Sequence, residues 1–485
     1  MIDRRGDQLG RTRVVVALAL LGGVGCGGPS EGEGDAGVGH DAGHDAGIGA
    51  LDADEPPGLD ASAGDASAGD AGPIDAGDPV DAPTPAGDAG PAPTTILQPA
   101  PGEVTILQMD LPVGIVPQLG EAAILVGPDG TLVLLDVGNS GHDDDVRDLV
   151  VELNTRWITP ARGFPRTRGR REVDWIVLSH FHSDHIGAME DLLTGSEPLD
   201  VVGGVVHRGL VDVGPGVTES DYTALCDLLT GTHAHLDVRL CAGAGPGRCG
   251  VDAASTNPAT SCEGLFGGDL SDPADDVARE PGHLDLGGGA RLVFLGADGF
   301  VSDGTSARAL AFGSTDSNEE NARSLVTLVS HGRFRYHWGG DLTGSGEPTE
   351  PDVESHVVRT AGDAFYGPLG MDVVHAHHHV RATSSNTTFV EATAPADGRS
   401  RNVVGGVNPA YVLSPYPEVL ARWADGARLG IGAIWLTDTA TGGGSHASLV
   451  VSGAAVIVQT SGGGAGYWVQ AASDAPITRG FSTVR

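Results

Sequence analysis

The stretch LSHFHSDHIG, Leu178 to Gly187, places His180, His182, Asp184 and His185 within six positions. Imidazole and carboxylate are the ligands with which proteins hold zinc while leaving a coordination position open for water. His180 and His182 alternate at the end of an expected strand, VDWIVLSH, so both side chains can leave on the same side. Asp184 and His185 follow as the chain turns into an expected helix, HIGAMEDLL, and Gly187 relieves crowding in that turn. A polar loop with chance histidines is the bland alternative, but the full HxHxDH pattern is far more specific than a lone HxH.

The other parts of a cage must come from distant strand ends. HxHxDH resembles the metal motif of the metallo-β-lactamase-fold superfamily. That resemblance implies an Asp ending an earlier strand, here Asp136 in LLDVG, and a later bridging Asp, here Asp341 between glycines in GRFRYHWGGDLTG. It implies a last histidine as well, here from MDVVHAHHH. LDVVGGVVH ends on His207, a strand end after the motif helix; a satisfied loop histidine is the competing reading there. The superfamily resemblance further implies an α/β fold, an αββα sandwich of two mixed β-sheets flanked by helices. It also implies two divalent ions, zinc by preference with manganese or iron as alternatives. His180, His182 and His207 would hold one ion. Asp184, His185 and one of His378 or His379 would hold the other, with Asp341 bridging and Asp136 bracing the loop from behind. Asp184, Asp341 and His378 are the expected catalytic groups, and a water shared by the two ions would become the attacking hydroxide.

ENARSLVTLVSHGRFRYHWGGDLTG (Glu320–Gly344) followed by MDVVHAHHHVRATSSN is similar to the hydrolase domain of ComEC-type competence proteins. Registering on Asp372 puts that family's His-His pair at His378 and His379. Val380-Arg381 stands where the family has Gly-Ser, and an extra His377 precedes the pair, so which histidine faces the metal is open. PYPEVLARW resembles a later segment that has His where this chain has Ser414 or Tyr416. The resemblance spans roughly residues 103 to 460 and favours a phosphodiester substrate, nucleic acid or a phosphorylated envelope compound.

These residues must be positioned by ordered elements, which are expected to begin near Thr95. EVTILQMDL, GEAAILVGP and TLVLLDVG read as short strands, and HDDDVRDLVVELNTRW as a helix with acids in its first turn. A Gly-rich stretch at about 208–283 reads as an insertion in a domain running from 96 to 485. It holds Cys226, Cys241, Cys249 and Cys262, an even number suited to two disulfides in an oxidising compartment. Their connectivity is not readable. His233 and His235, also there, are expected to face solvent.

Residues 26–95 repeat Asp, Ala and Gly with almost no large apolar side chain, so they read as a disordered acidic tether. Residues 1–25 read as a signal peptide: Arg4, Arg5, Arg11 and Arg13, then the apolar run VVVALALLGGVG before Cys26. The pattern resembles a bacterial lipoprotein signal, which implies lipidation of Cys26 and a membrane partner through that anchor. The expected location is the outer membrane or cell surface, with a periplasmic or secreted protein as the alternative.

The formal net charge is −37, and every one of the 28 basic residues is Arg. So acidic a chain disfavours a stable nucleic-acid complex, though a small site can still grip one phosphate. Arg156, Arg162, Arg166, Arg168, Arg170 and Arg171 crowd the segment before VDWIVLSH. Because ligand sites in α/β units lie at the carboxyl ends of strands, this segment is expected at the opposite end, as a solvated loop. Three readings stay open: a phosphodiesterase, an ester, lactone or β-lactam hydrolase on the same site, and a non-catalytic lipoprotein with a degenerate metal site.

Overall fold

A computed structural model describes residues 93–111, 120–210, 217–243, 249, 259–272, 280–310, 320–345, 351–367, 369–396, 400–407, 414–424, 434–438, 444–473 and 475–483. The expected signal peptide, Cys26 and nearly all of the expected tether lie outside the described residues.

The first strands are β1 (Thr105–Gln108), β2 (Ala123–Val126), β3 (Leu132–Leu135), β4 (Glu172–Val177), β5 (Asp200–His207) and β6 (Asp237–Arg239). A small hairpin follows, β7 (Ala242–Gly243) with β8 (Ala259–Ser261). Then come β9 (His283–Asp285), β10 (Arg291–Ala297), β11 (Phe300–Ser302), β12 (Ala307–Ala309), β13 (Val326–His331) and β14 (Phe334–Trp338). The last are β15 (Val373–His375), β16 (Asn402–Gly405), β17 (Ile434–Leu436), β18 (Leu449–Val451), β19 (Val456–Ser461), β20 (Gly466–Ala471) and β21 (Ile477–Ser482). One nine-stranded sheet runs β21-β20-β19-β1-β2-β3-β4-β5-β6, and a ten-stranded sheet runs β12-β11-β10-β13-β14-β15-β16-β17-β18 with β9 beside β10. Both are mixed: β3 to β6 pair in parallel in the first, β14 to β18 in the second.

Alternation along the strands builds the layers. Leu125, Val133 and Leu135 face a core between the sheets, where they meet Phe294, Phe334 and Trp435. Their neighbours Ile124, Leu132 and Leu134 face outward onto α1 (Asp143–Glu152) and α4 (Glu219–Thr230), which bury Val146, Leu149, Tyr222 and Leu225. On the far side, Val326 and Leu328 meet Val353 and Val357 of α5 (Val353–Phe365), with Phe389 and Trp423. Residues two apart share a face of a strand, so near-continuous apolar runs here mean burial on both faces. The result is the expected αββα layering of two mixed sheets.

The expected helix at 142–157 is α1 extended by a π-helical turn, Leu153–Trp157. The stretch read as an insertion is partly integral: α4 packs into the outer core of the first sheet, and β6 extends that sheet beside β5. Two disulfides form there, Cys226–Cys249 and Cys241–Cys262. The arginine segment lies at the start of β4, away from His180, but it is not uniformly solvated. Arg168 is buried, donating to Asn154 Oδ1 at 2.9 Å and Gly130 O at 3.0 Å and pairing with Asp174 at 2.6 Å. Among the described residues, no helix is long and apolar enough to cross a membrane.

Candidate metal centre

The centre collects at the carboxyl ends of parallel strands from both sheets. β3 delivers Asp136, β4 delivers Ser179 and His180, β14 delivers Asp341, and β15 delivers His375 and the histidines after it. Asp136 adopts a left-handed φ of 54°. Its carboxylate accepts from the Ser179 N–H at 2.7 Å and hydroxyl at 2.6 Å, and lies 2.7 Å from His185 Nδ1. A proton on Nδ1 there leaves the His185 Nε2 lone pair aimed at the cluster. His182 precedes the short helix α2 (Ser183–Ile186), in which Asp184 and His185 sit, and α3 (Met189–Thr194) follows it. A Cβ on Gly187 would lie 2.6 Å from both Ser140 N and Ser183 O, so only glycine fits that turn.

Asp341 Oδ2 is the hub. It lies 3.4 Å from His185 Nε2, 3.7 Å from His379 Nε2, 3.9 Å from His378 Nε2 and 4.0 Å from His180 Nε2. His379 Nε2 also lies 3.3 Å from Asp184 Oδ2, and His180 Nε2 lies 3.1 Å from His182 Nδ1. The approach requires Gly340, with φ 51°, where a Cβ would meet that of Ser179 at 2.5 Å. Glu320 holds the motif from behind, accepting from the Phe181 N–H at 3.0 Å and from buried Arg208 at 2.8 Å. Arg208 also bonds Asp298 at 3.0 Å, as does Arg323 at 2.6 Å.

Glu121 carries no local sequence signal, and the structure adds it. Its N–H donates to Asp184 O at 2.9 Å, and its carboxylate contacts His375 Nε2. It also accepts from Gln108 Nε2 at 3.1 Å and lies 3.4 Å from His379 Nδ1. Glu121, His185, Asp341 and His379 each offer a ligand atom, all within 4.8 Å of one another.

Electrostatics agree with a site built for cations. Burial raises the Asp341 carboxyl, but His185, His379 and His378 hold it well below its usual value. Burial opposes charge on His379, yet Asp341, Asp184 and Glu121 push it up to about 9. His185 is raised in the same way, against burial, by Asp341, Asp184 and Asp136. Asp341 Oδ1, His185 Nε2 and Glu121 Oε2 are buried without a hydrogen-bond partner. Buried polar atoms are ordinarily bonded, and a donor set of carboxylates and imidazoles around such atoms fits a divalent ion that would displace the imidazole protons.

Of the expected residues, His180, His182, Asp184, His185, Asp341, His378 and His379 come together, with Asp136 behind them. His207 does not join them. Its Nε2 is 2.8 Å from Asp237 Oδ1 and its Nδ1 accepts from the Gly209 N–H at 3.1 Å, so both ring nitrogens are committed. His377 turns away, 2.7 Å from Glu354 Oε1 and 3.0 Å from His337 Nε2. His235 is exposed and His233 partly so. Ser414 donates its hydroxyl to His379 O, and the Tyr416 N–H donates to Val380 O at 3.0 Å, so this segment buttresses the histidine loop.

The chain shares features with known proteins. A zinc-bound PqqB from Methylobacterium extorquens is 12% identical, covering 56% of this chain and 71% of that one at a TM-score of 0.25. Rm3 metallo-beta-lactamase is 17% identical over 56% of this chain and 74% of its own, at a TM-score of 0.23. A HARLDQ-motif mutant (S60) metallo-beta-lactamase from Cronobacter sakazakii is 12% identical over 52% and 70%, also at 0.23. Residues 116–221 match the model of the Metallo-beta-lactamase superfamily. That segment carries Glu121, Asp136 and the whole His180–His185 motif.

Proposed function

We propose that the chain is a dinuclear metal-dependent phosphodiesterase, exported and held at an envelope membrane by lipid on Cys26 and the acidic stretch that follows. The observation that carries the metal-dependent reading is the convergence of Glu121, His185, Asp341 and His379 within 4.8 Å, with buried atoms that have no hydrogen bond. Asp184, His185, His379 and Asp341 would hold one ion; His180 and His182 would begin the site for the other. Ions held there supply Lewis acidity and a water that ionises near neutral pH.

The chain's own residues do the positioning. Asp136 fixes the ring of His185, and Glu121 stands beside Nδ1 of His379 while its Nε2 faces Asp184 and Asp341. Arg381 favours an anionic substrate over a neutral ester. Its guanidinium lies 3.4 Å from His378 Nε2, at the rim of the cluster, and is partly exposed. A planar guanidinium pairs with two phosphoryl oxygens at once and would orient a phosphodiester there. A net charge of −37 limits contact with a long polyanion, which favours a compact phosphodiester or the end of a polymer. The two disulfides support an oxidising compartment.

The test is turnover of bis-p-nitrophenyl phosphate beside p-nitrophenyl acetate, with metal content measured on the same preparation. Two metals per chain and preference for the phosphodiester are expected. Turnover of the ester alone would redirect the reading to an ester, lactone or β-lactam hydrolase, and no metal with no turnover would sink it.

A further inference from the structure

The committed nitrogens of His207 leave the ion at His180 and His182 short of a third imidazole. His378 fits that place. Its Nδ1 lies 2.6 Å from Thr383 Oγ1, so a proton there leaves the Nε2 lone pair directed elsewhere. Unlike His207, whose Nε2 is held by Asp237 away from the cluster, His378 has its Nε2 3.9 Å from Asp341 Oδ2. It also makes long contacts to Asn321 Nδ2 at 3.3 Å and Arg381 Nη1 at 3.4 Å that an ion would replace.

The backbone explains how neighbours in sequence can serve different ions. His378, His379 and Val380 have φ of 50°, 51° and 61°, three successive left-handed residues, none of them glycine. Such a run is costly for L-residues, most of all for β-branched valine, and survives where the surroundings impose it. Its outcome is to splay two consecutive imidazoles, ring centroids 6.4 Å apart, so that both Nε2 atoms reach the same oxygen. His379 approaches Asp341 Oδ2 at 3.7 Å together with Asp184; His378 approaches it at 3.9 Å, and His180 at 4.0 Å.

We propose that His378 completes the metal site begun by His180 and His182, so that the consecutive pair His378–His379 serves two ions flanking Asp341. The proposal rests on the dinuclear reading above, and its test separates the two. Metal content would be measured on the full chain with disulfides intact, for the parent and for His378→Ala and His379→Ala. Two ions in the parent and one in each variant are expected. Cobalt-loaded His378→Ala should keep the absorption of the ion held by Asp184, His185 and His379. Thr383→Val, which removes only the partner of Nδ1, should weaken binding of the first ion about tenfold. Fewer than two ions in the parent would defeat the dinuclear reading itself; two in the parent and two in His378→Ala would overturn this inference alone. Should His378→Ala fail to fold, an anomalous-scattering map of the zinc-loaded parent decides. Zinc bonded to His180, His182 and His378 supports the assignment, and zinc bonded to His207 or lacking His378 overturns it.

Discussion

Two buried clusters of charge lie side by side in this fold, and they differ in how completely they are satisfied. Arg208, Glu320, Asp298 and Arg323 form a balanced set of two cations and two carboxylates. Both Glu320 oxygens are bonded, and Asp298 accepts from Arg208, Arg323 and the Ala259 N–H at 3.1 Å. None of its side-chain nitrogens or oxygens is a buried atom without a hydrogen bond. The second cluster, around Asp341, has an excess of carboxylates and several buried atoms with no hydrogen bond. Burial alone therefore does not separate a structural charge network from a functional one. The hydrogen-bond inventory does: a saturated network fixes backbone, whereas an unsaturated one is shaped for a ligand.

The largest expected effect falls on the unsaturated cluster. Asp341→Asn should abolish binding of at least one ion and lower phosphodiester turnover roughly 10³-fold or more, since metal activation supplies several kcal/mol of barrier reduction. Metal analysis and steady-state rates check this, and a variant that keeps both metals and full rate would erase the contrast. The saturated cluster should behave the other way. Arg208→Met removes the guanidinium that Glu320 and Asp298 share, leaving one buried cation for two carboxylates, and should cost about 3–5 kcal/mol in denaturant unfolding. If its unfolding midpoint matched the parent's while metal content fell, the network would belong to the site rather than the scaffold.

How much of this was legible in the sequence follows the same division. His180, His182, Asp184 and His185 declared themselves because one turn of chain holds them all. Asp136 and Asp341 could be found because the resemblance carried by that motif calls for carboxylates just past strand ends. Glu121 could not: it sits in GEAAILVG with no patterned neighbour, and its partner His375 is 254 residues away. His207 occupies the right strand end but is captured by Asp237 from the adjacent strand, a pairing that only register reveals. The packing of α4 is hidden for a related reason, because its apolar face is legible only beside the sheet it covers.

A smaller effect sharpens the comparison at a third buried charge. Glu354 accepts from the Ser385 and Asn386 N–H groups at 2.6 and 2.7 Å and faces His377, tying the histidine loop to α5. Burial pushes its carboxyl up to about 8, so the folded chain keeps a proton that the unfolded chain releases near 4.5. Folding then takes up a proton between those values, and stability falls as pH rises from about 4.5 to about 8 before levelling off. Glu354→Gln should flatten that slope in metal-free protein, measured as unfolding midpoint against pH; an unchanged slope would assign it to other groups.

The two disulfides interleave, since Cys241 lies between Cys226 and Cys249, and Cys249 between Cys241 and Cys262. A single protease nick at any peptide bond from Cys226 to Cys262 therefore falls inside at least one covalent loop. The severed pieces stay one molecule, so an enzyme that clips this stretch once leaves both halves of the chain tethered across the cut.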